Sequence, residues 1–140
     1  SAKSGGPDDY GYSWISSDSS AGPTFAWIDI TTTGTQINGY GDDQGPGAML
    51  PIGFDFPFYW YNINEFYVGA NGYIRFTSPL DVSSDGSGGK SFPDLPLNDA
   101  YNDWVCPFLC DLNPTASGGG KIYYKTNMTR IYLNILLHPK

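Results

Sequence analysis

The sequence predicts an all-β protein, an antiparallel β-sandwich with long Gly/Pro/Asp-rich loops. Three observations carry that expectation. The 140 residues include 18 Gly and 11 Pro, so chain-breaking residues recur too often for long helices. The 4 Trp, 11 Tyr and 8 Phe favour strands. Several segments alternate apolar and polar residues with a period of two, and no segment of useful length shows the 3.6 period of a helix.

Taken in order, residues 1–13 are mostly Gly, Ser, Pro, Asp and Tyr and read as a flexible N-terminal arm. Residues 14–140 read as a single sandwich domain. Trp14-Ile15 is the first ordered signal. Residues 25–30 (Phe-Ala-Trp-Ile-Asp-Ile) read as a strand between Gly22-Pro23 and Gly34. Residues 38–47 are a turn cluster. Phe54, Phe56, Phe58 and Trp60 then occupy alternate positions, with Asp55, Pro57 and Tyr59 between them, which predicts a strand with one buried face. Pro57 has no N–H to donate, so this strand belongs at an edge or carries a bulge.

Residues 65–70 form a second strand with Phe66 and Val68 inward. Asn71-Gly72 is a hairpin signal, and Ile74 and Phe76 alternate after it, so residues 65–77 read as a hairpin. Residues 78–103 make the longest loop. Residues 104–109 return to strand character, residues 111–120 are turn-rich, and residues 122–124 start another strand. Asn127-Met128 marks a turn. Ile131, Leu133, Ile135 and Leu137 alternate with Tyr132, Asn134 and Leu136 in a last strand. The total of roughly seven or eight short strands suits a sandwich.

Composition narrows function. A net charge of −7 repels nucleic acid. No apolar run approaches the roughly 18 residues that would span a membrane. His138 is the one histidine, so most His-dependent catalysis and zinc chemistry lack raw material. No Gly-x-Ser-x-Gly elbow occurs, and the chain reads as a non-enzyme. The small polar opening Ser1-Ala2-Lys3-Ser4-Gly5-Gly6 suits a mature N-terminus left by a secretory signal. Together with the acidic, Lys-poor composition it points to an extracellular or cell-surface location.

Five groups of residues could carry function. Cys106 and Cys110 are disulfide candidates. Four positions apart on an extended strand they lie about 13 Å apart, and a bridge needs Cα atoms within roughly 7 Å. They can bond only if Pro107 turns the chain, and the alternative is two buried small side chains. Asp42, Asp43, Asp103 and Asp111 lie in Gly/Asn-rich turns and are the best candidates for a calcium site, the only cofactor the sequence suggests. Capping turns is the competing role for such residues. Tyr10, Tyr12, Tyr40, Tyr61 and Tyr101 are candidate binding aromatics, suited to glycans or to protein contacts. Asn127-Met128-Thr129 fits the N-glycosylation pattern, with Asn127 as acceptor. Ile131, Leu133, Ile135 and Leu137 form an apolar strand that either sits within a core sheet or pairs with another chain as an assembly edge.

Residues 52–59 (Ile-Gly-Phe-Asp-Phe-Pro-Phe-Tyr) and 66–76 (Phe-Tyr-Val-Gly-Ala-Asn-Gly-Tyr-Ile-Arg-Phe) resemble the core of nidogen-like extracellular domains. Residues 105–112 (Val-Cys-Pro-Phe-Leu-Cys-Asp-Leu) look like a later block of those modules, and residues 6–14 are similar to the start of bacterial surface relatives. The resemblance implies an extracellular, non-catalytic β-rich module tied to adhesion or matrix assembly. The cysteines depart from the family pattern, and such modules usually continue past the point corresponding to Lys140. The expected function is structural or adhesive, with self-association into a filament or sheath through β-edges or strand donation. A carbohydrate- or matrix-binding module of a larger secreted protein is the alternative.

Overall fold

The computed structural model describes residues 3–83, 90–93 and 102–136. Among these there is no helix, and eleven strands follow in order: β1 (Ser4–Gly5), β2 (Trp14–Ile15), β3 (Thr35–Ile37), β4 (Leu50–Phe58), β5 (Tyr61–Gly69), β6 (Tyr73–Arg75), β7 (Val82–Ser83), β8 (Lys90–Ser91), β9 (Trp104–Val105), β10 (Lys121–Thr126) and β11 (Ile131–Leu136). The all-β expectation holds. Three sheets are antiparallel, with orders β1-β2, β11-β10-β3 and β4-β5-β6-β9, while β7 and β8 pair in parallel. Leu137, His138 and Tyr101 lie outside the described residues, as does most of the expected long loop.

The three-stranded and four-stranded sheets share one core. Ile37 and Ile122 come from the first, Ile52, Phe66 and Val68 from the second, and Phe76 follows β6. Ile131, Leu133 and Ile135 of β11 pack onto this cluster, as do Phe54, Phe56 and Phe58 of β4. The period of two therefore positions both sets as the sequence predicts. Among the described residues β4 is an edge strand, where Pro57 is tolerated, and its pairing with β5 shifts register between Pro51 and Phe56.

The second half of β5, from Phe66 to Gly69, and β6 are covered on both faces. Tyr67 and Tyr73 build a second core with Val82, against which Trp104 and Cys106 pack. Arg75 is buried there, donating to the Asn102 and Ser78 carbonyls, with its guanidinium 5.5 Å from the Trp104 ring centroid. The hairpin expected over residues 65–77 is formed, with residues 70–72 as its turn. Asn71 in that turn is fully buried. Its Nδ2 donates to Asp43 and to the Val82 carbonyl, and its Oδ1 accepts the Leu112 N–H.

Three expectations are corrected. Trp60 is not inward but 78 % exposed, because Tyr59 takes a φ of 50° and the chain turns there from β4 into β5. Residues 25–30 form no strand, and Phe25, Trp27 and Ile28 are exposed. The strand expected over 104–109 ends at Val105, where Pro107 and Phe108 turn the chain. Ser4–Gly5, within the arm expected over residues 1–13, pairs with Trp14–Ile15, the first ordered signal, as the β1-β2 hairpin, with Ser4 opposite Ile15 and Gly5 opposite Trp14.

Candidate functional site

Two surfaces concentrate the candidate residues. The first is aromatic and is organised by Asp8. One carboxylate oxygen, Oδ1, accepts the N–H groups of Tyr10, Gly11 and Tyr12 at 3.0, 2.8 and 2.8 Å. This is the turn chemistry an Asp ahead of a glycine provides. Oδ2 accepts the Tyr59 hydroxyl at 3.1 Å, and the Tyr12 hydroxyl accepts the Tyr59 N–H at 3.3 Å. The β1-β2 hairpin is thereby tied to the β4-β5 turn. Tyr10 and Tyr12 stack with centroids 5.5 Å apart, Tyr12 meets Tyr59 at 4.8 Å, and Tyr10 meets Trp60 edge-on at 5.3 Å.

Desolvation opposes ionisation of Asp8, but the Tyr12, Tyr59, Gly11 and Tyr10 hydrogen bonds outweigh it and hold its carboxyl below the usual carboxylate range. The bond to Asp8 pushes the Tyr59 hydroxyl up. Tyr10, Tyr12, Trp60 and Tyr61 are all exposed. The run Tyr59-Trp60-Tyr61 is legible in the sequence as a candidate sugar-binding platform, whereas the organising role of Asp8 escapes a sequence reading. The signal for Asp8 is its place two residues ahead of Tyr10-Gly11.

The second surface is β11. Among the described residues it is an edge strand of its sheet, paired on one side with β10 through Ile131–Thr126 to Leu136–Lys121. The candidate residues Ile131, Leu133 and Ile135 face the core, and Asn134 lies on the alternate face. Asn134 is buried all the same. Its Oδ1 accepts the Ile30 N–H at 2.9 Å and its Nδ2 donates to the Ile28 carbonyl at 3.2 Å. The exposed stretch of residues 25–28 is thus fastened beside β11. A cavity of about 270 Å³ opens at the end of the strand, lined by Ala70, Leu112, Ile122, Ile135, Leu136 and Asp111 among others. That is just below the about 300–1,000 Å³ of small-molecule sites and suits an apolar side chain.

The remaining candidates distribute as follows. Asp42, Asp43 and Asp111 come together, with carboxylate oxygens within 4.8 Å of one another. Asp103 is not part of that trio; it sits at a φ of 65° and its carbonyl accepts the Phe76 N–H. Three carboxylates supply part of the roughly six to eight oxygens calcium takes, and one of them, Asp111, also lines the cavity. Tyr40 does not present an aromatic surface. It packs against the main core, its hydroxyl is buried without a hydrogen-bond partner, and desolvation pushes that hydroxyl up.

Cys106 and Cys110 are free thiols, so of the two alternatives the bridge is not the one formed. Desolvation pushes both thiols up, with the Asp111 charge adding at Cys110. Asn127 is exposed in the β10-β11 turn, where its Oδ1 accepts the N–H groups of Thr129 and Arg130.

No helix among the described residues is long and apolar enough to cross a membrane. No curated protein and no solved structure matches the chain significantly. One family model, described as NIDO related, matches residues 16–130. The β1-β2 hairpin and β11 both fall outside that span. The match covers the stretch that carries the nidogen-like resemblance and suggests an extracellular module. The chain belongs to the NIDO-related, that is nidogen-related, family.

Proposed function

We propose that the chain is a non-enzymatic extracellular structural protein whose subunits associate through β-edges, building a filament, a sheath or an adhesive surface. The observation that carries this reading is the contrast between two edge strands. β4 has the devices that blunt an edge: Pro51, Pro57, Asp55 and a register shift. β11 has no charged residue and no proline over Ile131–Leu136. An unguarded apolar edge is a template for strand addition. The non-enzymatic part rests on side-chain chemistry. Histidine is scarce, and Tyr40, Tyr67 and Tyr73 are pushed up by desolvation, away from the ionisation that base or nucleophile work needs.

Negative-stain microscopy of native secreted material, with light scattering, tests this reading. Regular fibres, tubes or sheets support it, and a dispersed monomer of the chain's own mass contradicts it. The aromatic surface around Asp8 favours a second reading, a carbohydrate- or matrix-binding module, because the Trp60 ring stands open beside Tyr10 and Tyr61. That reading expects a monomer with saturable glycan binding that Trp60→Ala abolishes.

A further inference from the structure

We infer that the aromatic surface around Asp8 is a docking site for an arginine side chain of a protein partner, which stacks on the Trp60 ring and pairs with the carboxylates of Asp8 and Asp9. This rests on the second reading above, a matrix-binding module, and names the chemistry of its partner.

The first argument is that the surface is built. Tyr59 has a φ of 50°, a region that bulky residues avoid and that hairpin turns ordinarily give to Gly, Asn or Asp. Two hydrogen bonds from a separate hairpin meet it there. Its hydroxyl donates to Asp8 at 3.1 Å, and its N–H donates to the Tyr12 hydroxyl at 3.3 Å. The turn at Tyr59 leaves Trp60 outside, where Tyr10 meets it edge-on at 5.3 Å and Tyr59 at 5.9 Å. Tryptophan is buried in most folds. An indole that is both exposed and braced offers a rigid face that loses little entropy on binding.

The second argument is charge. Asp8 is exposed, and its hydrogen bonds hold the carboxyl below the usual range, so it is ionised at neutral pH. Asp9 follows it, also exposed, and no hydrogen bond or ion pair engages its carboxylate among the described residues. Residues 4–15 and 54–65, the two stretches that build the surface, contain Asp8, Asp9, Asp55 and Glu65 and no Lys or Arg. Lys3, the base nearest in the chain, donates to the Asp18 carbonyl at 2.9 Å. Anionic ligands are therefore repelled here and cations attracted.

The third argument selects the cation. A flat ring beside carboxylates matches a guanidinium, which is planar, stacks on aromatic faces and donates in a fork to a carboxylate. An ammonium group is more strongly hydrated and lacks the plane. A neutral sugar uses the ring and leaves the charge unmatched. Tyr10, Tyr12 and Tyr61 stand exposed around the site, and such a rim is the composition of protein-binding surfaces.

An NMR titration that follows the indole N–H resonances tests the inference. The probes are the peptide Gly-Arg-Gly-Arg-Gly, its lysine counterpart and cellohexaose, a neutral glycan. The variants are Trp60→Ala and, as a control elsewhere, Trp27→Ala; both rings are exposed, so folding is not at stake. The dissociation constant of the arginine peptide should rise at least about threefold in Trp60→Ala and stay unchanged in Trp27→Ala. The lysine peptide should bind the parent at least about twofold more weakly than the arginine peptide. An arginine peptide that binds Trp60→Ala as well as the parent, or no tighter than the lysine peptide, is drawn by net charge alone and overturns the inference. Cellohexaose binding that Trp60→Ala abolishes, without arginine binding, overturns it and leaves the second reading standing as a glycan site. No binding of any probe overturns both.

Discussion

The side chain of Asn134 acts as a peptide group toward the segment that ends at Ile30. It accepts the Ile30 N–H at 2.9 Å and donates to the Ile28 carbonyl at 3.2 Å, 104 and 106 residues away in sequence. Ile30 is buried, so this pairing closes a backbone account that no strand closes. Asn134→Leu should leave a buried N–H without its acceptor, at a cost of about 1–3 kcal/mol. Asn134→Asp, measured at a pH where the buried carboxyl is protonated, keeps both an acceptor for Ile30 and a donor for the Ile28 carbonyl and should cost less. Urea unfolding of the two variants checks the order, which reverses if Asn134 serves only to fill space.

Asp8 sets a pH dependence at the aromatic surface. Its carboxyl in the folded chain lies below the ordinary value of 3.8, and an unfolded Asp titrates near about 3.9. A lowered folded value means the carboxylate stabilises the hairpin fully above the unfolded pKa. That stabilisation fades as pH falls through the folded one. The hairpin of residues 4–15 should therefore hold at pH 5 and above, and open on acidification below about pH 4. Amide resonances of Tyr10, Gly11 and Tyr12 report this directly. Asp8→Ala should show the open signature at neutral pH as well, and a profile identical to the parent's would contradict the role given to Asp8.

Gly72 shows what the Asn71-Gly72 turn requires. It has a φ of 79°, and a Cβ there would run into the Phe108 carbonyl. The Gly72 carbonyl itself accepts the Phe108 N–H at 3.3 Å. Gly72→Ala should cost about 1–3 kcal/mol from left-handed strain alone, with the backbone clash adding to it. Thermal unfolding should show a clear drop in Tm, and an unchanged Tm would mean that residues 108–112 do not dock on this turn.

The same turn marks how far the sequence reaches. Asn-Gly between alternating apolar residues identifies the hairpin, because turn chemistry is local. It does not reveal that Asn71 is buried and binds Asp43, Val82 and Leu112, since those partners are distant in sequence. Alternation locates Phe54, Phe56 and Phe58 correctly and then fails at Trp60, where the period ends at the positive φ of Tyr59. Residues 25–30 have strand composition but no strand, because their backbone groups at Ile28 and Ile30 are taken by a side chain. Asn134 was the visible clue, a lone amide in an otherwise apolar strand. The acidic turns pointed to Asp42, Asp43 and Asp111, but sequence could not separate Asp103, which the topology carries elsewhere. Tyr40 looked like a surface residue because its neighbours are turn formers, yet its ring reaches the core.

The central claim is that β11 is an edge made for another strand, and hydrogen exchange of its amides at rising protein concentration tests it most directly. The account expects the outward amides of residues 131–136 to exchange more slowly as concentration rises, while those on the proline-guarded edge of β4 do not change. Exchange on β11 that is fast and independent of concentration would contradict it.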